Sequence, residues 1–319
     1  MERANTGKFR RLSRRELDRA FLELVAKLQE SYQAGQDRVI TPENVYQPAR
    51  LAGREDLEAL MDLVLLPGSR VEGLAHLDHC LSQLEAGRRV LFLSEHRGNF
   101  DVPSFYNLLR REHPRYGKIL ERLIYIAGRK LNESSDLVKM FSEKYSRLVI
   151  VPRRDFPEPD PGAGEAEAQT RDAFRRYATG INRAAFRELV RLKKAGQIFV
   201  LFPLGGRLKP DADNRPVRET ASYLRSCDTV YLIGMEGNTL PPLPRMEDER
   251  PIQDRVLFRV GPPVDCKVFL AAERQRFNSL PAVGTESQET DFEQVVVDRI
   301  MTLLGRLRTQ GDYGEPLPA

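Results

Sequence analysis

Hydrophobic residues in the first part of the chain recur at helical spacing. Ser13 and Glu16 have the spacing of a capping box, and an apolar stripe follows them on one helical face: Leu17, Phe21, Leu24, Val25 and Leu28. Thr41, followed by a proline, predicts a second helix start, and helical periodicity returns over residues 57–65 and 74–84. The pattern therefore predicts a helical bundle over residues 1–85, without strands.

Beyond Gly87 the pattern changes to short apolar runs that alternate with helical segments. Six runs predict strands, at residues 90–93, 123–127, 148–151, 198–202, 230–234 and 256–260. Helices are expected at residues 102–111, 135–145, 182–195 and 291–307, and surface loops at 156–169 and 278–290. We therefore expect residues 86–319 to form an α/β domain, with a largely parallel central sheet flanked by helices, after the N-terminal helical bundle.

Composition and charge exclude several classes of protein. The longest apolar runs are far shorter than the roughly 18 residues that a membrane-spanning helix needs. A formal net charge of +4 is too small to indicate nucleic-acid binding. The three cysteines are widely spaced and have no neighbouring histidine cluster, so neither a disulfide framework nor a metal site is expected. These features favour a cytoplasmic protein.

The beginning of the chain is strongly basic. Residues 1–20 carry seven cations: Arg3, Lys8, Arg10, Arg11, Arg14, Arg15 and Arg19. The segment lacks the apolar centre of a secretory signal. It predicts a peripheral, electrostatic contact with an anionic membrane surface, and the alternative is a solvated tail.

A candidate catalytic pair follows the first predicted strand of the sheet. His96 and Asp101 are five residues apart, and a carboxylate at the next turn can accept a hydrogen bond from imidazole Nδ1. This arrangement leaves Nε2 as a general base. No Gly-x-Ser-x-Gly elbow is present, so the pair favours direct activation of a substrate hydroxyl over a covalent enzyme intermediate. The alternative for Asp101 is an ordinary helix N-cap, which is compatible with the first role.

Basic residues follow two other predicted strands. They form two groups, and the second includes a glycine pair that allows close backbone approach to a ligand: Arg153 and Arg154, then Gly205, Gly206, Arg207 and Lys209. Because the carboxyl ends of parallel strands meet at one edge of a sheet, we expect these cations to converge near His96 and to bind a phosphate. The alternative is that they are solvated loop residues.

Together these motifs resemble those of the glycerolipid acyltransferases. The resemblance rests on His-x4-Asp after a strand, on the Phe-Pro-x-Gly-Gly-Arg block at residues 202–207, and on the Pro-Pro-Leu-Pro run at 241–244. The chain is most similar to the soluble, plastid-type glycerol-3-phosphate acyltransferases, which also place a helical bundle before an α/β domain. The likeness extends loosely from about residue 38 to residue 264.

The resemblance implies a reaction and a role for each motif. It implies that an acyl group passes from acyl carrier protein or a CoA thioester, as co-substrate, to the 1-hydroxyl of glycerol 3-phosphate in phospholipid biosynthesis. His96 would be the general base and Asp101 its orienting carboxylate. The four cations of the two basic groups would hold the phosphate. No metal or bound cofactor is implied.

The chain departs from the family pattern at two positions. Leu204 stands where most membrane-bound members have glutamate, and Asp155 stands where the plastid-type enzymes have a basic residue. Both positions bear on the identity of the acceptor. Two alternatives therefore remain: an acyltransferase with another acceptor such as lysophosphatidate, and a non-catalytic lipid- or carrier-binding protein. The intact His96 and Asp101 pair argues against the second alternative, since a binding module needs no base.

Overall fold

A computed structural model describes residues 11–32, 39–132, 136–158, 164–208, 214–243, 248–279 and 288–317. The helices in these segments are α1 (Arg14–Ser31), α2 (Arg54–Val64), α3 (Leu74–Glu85), α4 (Asp101–Glu112), α5 (Gly117–Leu120), α6 (Asp136–Ser142), α7 (Glu165–Lys194), α8 (Thr220–Arg225), α9 (Cys266–Asn278) and α10 (Gln288–Gln310). The strands are β1 (Tyr46–Gln47), β2 (Arg70–Glu72), β3 (Val90–Ser94), β4 (Leu123–Gly128), β5 (Arg147–Ile150), β6 (Ile198–Leu201), β7 (Thr229–Glu236), β8 (Leu257–Val260) and β9 (Val264–Asp265).

All nine strands form one mixed sheet. Its order is β1-β5-β4-β6-β3-β7-β8-β2, with β9 paired to β7. The five strands from β5 to β7 in this order are parallel. Strand β1 is antiparallel to β5, and β8 and β9 are antiparallel to β7, while β2 is parallel to β8. The predicted α/β class with a largely parallel sheet is confirmed. Because β3, β4, β5, β6 and β7 run in one direction, the loops that leave them lie at the same edge, called here the carboxyl edge.

The sheet is buried on both faces. In β3 every residue is buried, and alternate side chains enter different cores: Phe92 belongs to the core that includes α1 to α4, and Leu91 to the core that includes α7 to α10. A strand buried on both faces reads as a continuous apolar run, which explains why β3 was recognisable from sequence.

The first helix packs into the same core as the sheet. The Ser13 side chain accepts a hydrogen bond from the backbone N–H of Glu16, and the Glu16 carboxylate accepts one in return, so the predicted capping box is present. Phe21 contacts Phe100 with ring centroids 6.2 Å apart. Residues from α1 and from β3 belong to one continuous hydrophobic core.

Part of the predicted N-terminal helical bundle is extended. Strands β1 and β2 lie within residues 1–85 and pair with β5 and β8, so the expectation of a segment without strands is wrong. No helix starts at Thr41, because the Asn44 side chain accepts the Thr41 N–H at 2.8 Å and forms a turn. A local side-chain bond of this kind competes with helix formation.

Helices also occupy parts of the two predicted surface loops. Helix α7 begins at Glu165, because the Glu- and Ala-rich segment has high helix propensity and outweighs the turn-forming residues before it. Within 278–290, α9 ends at Asn278 and α10 begins at Gln288. Residues 159–163 and 280–287 lie outside the described part of the chain. No helix in the described segments is long and apolar enough to cross a membrane.

One ion pair joins the amino ends of the two central strands. The Asp228 carboxylate, just before β7, accepts hydrogen bonds from the backbone N–H, Nε and Nη2 of Arg89, just before β3. The hydrogen bonds from the Arg89 side chain lower the pKa of Asp228 from its ordinary value of 3.8 to about 2, against an opposing effect of burial. The pair therefore stabilises the parallel pairing of β3 and β7.

We expect Asp228→Asn to lower the free energy of unfolding by about 1 kcal/mol at neutral pH, a modest value because Arg89 is half exposed and solvent screens the pair. The folded-state pKa lies below the unfolded one, so this stabilisation is present above pH 3.8 and is lost as the pH falls through about 2. Urea unfolding of both proteins across this range measures the difference. Asp298→Asn, on the exposed side of α10, is the control. A difference that stays constant with pH would contradict the assignment.

Candidate active site

The loop between β3 and α4 holds the predicted catalytic pair together. Nδ1 of His96 lies 2.9 Å from Oδ2 of Asp101. The same oxygen accepts the backbone N–H groups of Arg97 at 2.5 Å and Gly98 at 2.9 Å. In the neutral imidazole whose Nδ1–H donates to the carboxylate, Nε2 is the acceptor nitrogen, and Nε2 makes no hydrogen bond to another described residue. The imidazole is therefore oriented as a general base.

Asp101 caps the loop and not the helix. It is the first residue of α4, the N-cap position is held by Phe100, and no side chain caps the helix there. The alternative role of Asp101 as an ordinary N-cap is therefore wrong. Its carboxylate bonds backward because three donors of the preceding loop converge on one of its oxygens. Its position at the start of α4 also places the negative charge at the favourable end of the helix dipole.

An aromatic stack fixes the plane of the imidazole. The rings of His96 and Phe202 are stacked with centroids 4.2 Å apart, and Phe202 stacks in turn on Tyr125 at 6.1 Å. His96 follows β3, Phe202 follows β6 and Tyr125 lies within β4, three strands that are adjacent in the sheet in the order β4-β6-β3. The stack shields one face of the imidazole from solvent. Phe202 is the first residue of the Phe-Pro-x-Gly-Gly-Arg block, and its stacking on His96 was not predicted.

A mostly apolar cavity begins beside the pair. Its volume is about 20 Å³, room for about one water molecule, and it lies between α4 and the sheet. Its lining is Phe92, Ser94, Asp101, Val102, Phe105, Leu123, Tyr125, Val200, Phe202, Ile233 and Phe258. The second carboxylate oxygen of Asp101, Oδ1, is buried without a hydrogen-bond partner in the described chain. The carboxylate of the pair therefore lines a small apolar cavity, whose lining does not include His96.

Arg154 links the loops that follow β5 and β6. Its Nη2 donates to the carbonyl oxygen of Gly205 at 2.6 Å, and its Nη1 to that of Leu204 at 3.4 Å. Gly205 has a φ of +63°, and a Cβ atom there would lie 2.6 Å from a methyl group of Val217. A glycine is required at this turn. Gly206 follows it, also beside the Arg154 guanidinium.

Arg153 is an exposed cation at this edge, as are Arg154 and Lys130. It begins a short 3-10 helix, Arg153–Asp155, and forms no ion pair with another described residue. Asp155 pairs with Lys130, from the loop after β4, at 2.7 Å. The carboxylate that departs from the family pattern is therefore neutralised by a neighbouring lysine and not by the two arginines.

Arg207 points to a buried carboxylate. Its Nη1 donates to Oε1 of Glu249, and only 10% of the Arg207 side chain and 1% of the Glu249 side chain are exposed. The loop of Arg207 is also tied to the catalytic loop, because the Leu208 N–H donates to the carbonyl oxygen of His96 at 2.8 Å. Lys209, predicted beside Arg207, lies outside the described residues.

The structure thus brings His96 and Asp101 into contact and sets the arginines on loops of the same edge. Glu249 was not predicted, because it stands in a charged stretch with no periodic or motif signal. Within the described residues, no group of three or more His, Cys, Asp or Glu side chains is placed to hold a metal ion. The three cysteines are buried free thiols.

No family model matches the chain, and no curated protein matches it. The resemblance to acyltransferases therefore rests on the sequence motifs alone, and the geometry of the site is a separate observation.

Gly98 is the position where the catalytic loop packs most closely on its neighbours. A Cβ atom there would overlap Oδ1 of Asn238 and lie 2.6 Å from the carbonyl oxygen of Leu240, both in the loop after β7. We expect Gly98→Ala to lower the free energy of unfolding by about 1–3 kcal/mol, because the backbone must move to admit the methyl group. Gly117→Ala, which meets nothing within 4 Å, is the matched control. Equal urea midpoints for the two variants would contradict this close packing.

Proposed function

We propose that this chain is an O-acyltransferase that moves a fatty acyl group from acyl carrier protein or CoA to the 1-hydroxyl of glycerol 3-phosphate. The observation that carries the proposal is the hydrogen bond between His96 and Asp101 at the carboxyl edge of a parallel sheet. A histidine oriented in this way, with Nε2 unengaged, suits proton removal from a hydroxyl.

The proposed mechanism uses one base and no covalent enzyme intermediate. Nε2 of His96 takes the proton of the acceptor hydroxyl while the hydroxyl oxygen attacks the carbonyl carbon of the thioester. Asp101 stabilises the imidazolium that forms. The tetrahedral intermediate then collapses, the carbon–sulfur bond breaks, and the thiolate takes up a proton from the imidazolium. General-base assistance of this kind contributes about 10²–10⁴-fold.

Both substrates have matching features near the pair. The cavity beside Asp101 has an apolar lining, which matches the chemistry of a fatty acyl group, and its volume of about 20 Å³ means that the surrounding side chains must move to admit one. The exposed guanidinium of Arg153 suits a phosphate monoester. Arg154 donates to the Gly205 carbonyl oxygen and Arg207 to the Glu249 carboxylate. Part of their role in phosphate binding is therefore to hold the loops in place. The peripheral membrane contact of the basic residues 1–20 stays a prediction, since residues 1–10 lie outside the described chain.

We expect His96→Ala to lower kcat for thiol release by about 10²–10⁴-fold with the fold intact, because the base is lost from a loop. Asp101→Asn should be milder, because it keeps the volume and loses the charge that stabilises the imidazolium. Thiol release from acyl-CoA or acyl carrier protein measures both, with circular dichroism as the check of folding. His113→Ala, an exposed histidine after α4, is the control. Release by folded His96→Ala at the wild-type rate would refute the catalytic assignment.

The same assay separates the alternative functions. Acceptors in the panel are glycerol 3-phosphate, lysophosphatidate and unphosphorylated glycerol. Thiol release with lysophosphatidate as the one active acceptor would support His96 as the base and would replace glycerol 3-phosphate as the acceptor. Binding of an acyl donor without release, for every acceptor, would favour the non-catalytic carrier- or lipid-binding protein.

We expect Arg153→Gln to raise the KM for glycerol 3-phosphate by one to two orders of magnitude, because one charge-assisted contact contributes about 1.5–3 kcal/mol. The kcat should stay nearly unchanged, since the phosphate lies away from the reacting hydroxyl and its charge hardly changes during acyl transfer. The donor KM should stay unchanged, because in this proposal Arg153 contacts the acceptor alone. Steady-state kinetics with each substrate varied in turn measures these constants.

The matched control is Arg187→Gln, because Arg187 is an exposed arginine on the part of α7 that runs away from the carboxyl edge. Arg207→Ala is a poorer probe, since it would leave the Glu249 charge buried and unpaired. Equal effects of Arg153→Gln on donor and acceptor KM would contradict a phosphate contact at Arg153.

A further inference from the structure

Glu249 joins three loops of the candidate site through one buried carboxylate. Oε1 accepts hydrogen bonds from Nη1 of Arg207 and from the backbone N–H of Leu243 at 3.2 Å. Oε2 accepts one from Nδ2 of Asn99 at 2.8 Å. Asn99 belongs to the catalytic loop, Arg207 to the loop after β6, and Leu243 to the segment after β7. Each oxygen of the carboxylate thus has a donor.

The pair places a negative charge directly against a cation of the expected phosphate site. Nη1 of Arg207 is held by Glu249, so only the other N–H groups of the guanidinium can face a ligand. The carboxylate is almost completely buried, and solvent screens its charge poorly. A phosphate that approaches Arg207 therefore meets an arginine of fixed orientation and a repulsive charge behind it.

We propose that Glu249 is a positioning residue that orients Arg207 and limits the affinity of the site for a phosphate monoester. This inference rests on the proposed function. In that reaction the acceptor and the product carry the same phosphate group, so a tighter grip on phosphate strengthens substrate and product binding equally. Tighter binding of the phosphate in both substrate and product does not accelerate the chemical step, and it slows product release. Glu249 keeps the grip weak enough for turnover.

The charge of Glu249 can be removed with little change of shape. Glu249→Gln keeps an oxygen for Arg207 and Leu243, and the Asn99 amide can rotate to present its own oxygen to the new NH₂ group. We expect inorganic phosphate and glycerol 3-phosphate to bind Glu249→Gln about tenfold more tightly than wild type in calorimetric titrations of the full chain, because a like charge near the ligand is gone. The acceptor KM and kcat should both fall, while the donor KM stays constant.

Two further variants separate charge from structure. Glu249→Asp keeps the charge and shortens the side chain, so phosphate affinity should stay near the wild-type value even where the melting temperature falls. Glu273→Gln removes an equally buried glutamate that pairs with Arg276 and Arg299 on α9 and α10, and should leave phosphate affinity unchanged. If Glu249→Gln alone does not fold, Arg207→Gln/Glu249→Gln replaces it, and should bind phosphate more tightly than Arg207→Gln.

The outcomes distinguish this inference from the proposed function. Phosphate binding by wild type with no gain in Glu249→Gln, or an equal gain in Glu273→Gln, overturns the role of Glu249 and leaves the acyltransferase proposal in place. An absence of phosphate binding in every variant overturns the phosphate site itself, and with it the glycerol 3-phosphate acceptor. Tighter phosphate binding by Glu249→Gln, without a gain in Glu249→Asp or Glu273→Gln, supports the inference whatever the rate of acyl transfer.

Discussion

The geometry of the site depends on one carboxylate oxygen, Oδ2 of Asp101, which accepts three hydrogen bonds from the preceding loop. Asp101 is 4% exposed, so its charge is unfavourable unless those donors are in place. The requirement works in both directions. The loop can take this shape only around the carboxylate, and the carboxylate can be buried only inside this loop. The orientation of His96 follows from that mutual dependence.

Charge at the carboxyl edge is largely balanced within the protein. Asp155 is paired with Lys130, and Glu249 with Arg207. Glu95, next to His96 in sequence, is paired with Arg308 of α10, although burial raises the pKa of Glu95 above its ordinary value. These pairs bind separate loops to one another through groups that would be costly to bury alone. Arg153 is exposed and forms no ion pair within the described chain, and unlike Arg154 it donates no side-chain hydrogen bond there, which leaves its guanidinium available to an anion.

The chain also shows how a site can be assembled by a sheet and not by a local motif. His96 stacks on Phe202, Arg154 holds the turn at Gly205, and the Leu208 N–H bonds to the His96 carbonyl. Each contact crosses between loops that follow different parallel strands. A displacement of one strand would disturb several of these contacts together, so the sheet acts as the rigid support of the candidate site.

Sequence alone determined the parts that depend on neighbouring residues. The apolar runs of β3 to β8, the capping box at Ser13 and the spacing of His96 and Asp101 were readable because periodicity and short spacing are local signals. Strands β1 and β2 were not, because two or three residues carry too little pattern and their extended form comes from pairing at the sheet edges. Tertiary structure alone decided the partners of Glu249, since it meets Arg207 across 42 residues of sequence and Asn99 across 150. Such a contact is fixed by how the strands order themselves in the sheet, and no local pattern in the chain encodes that order.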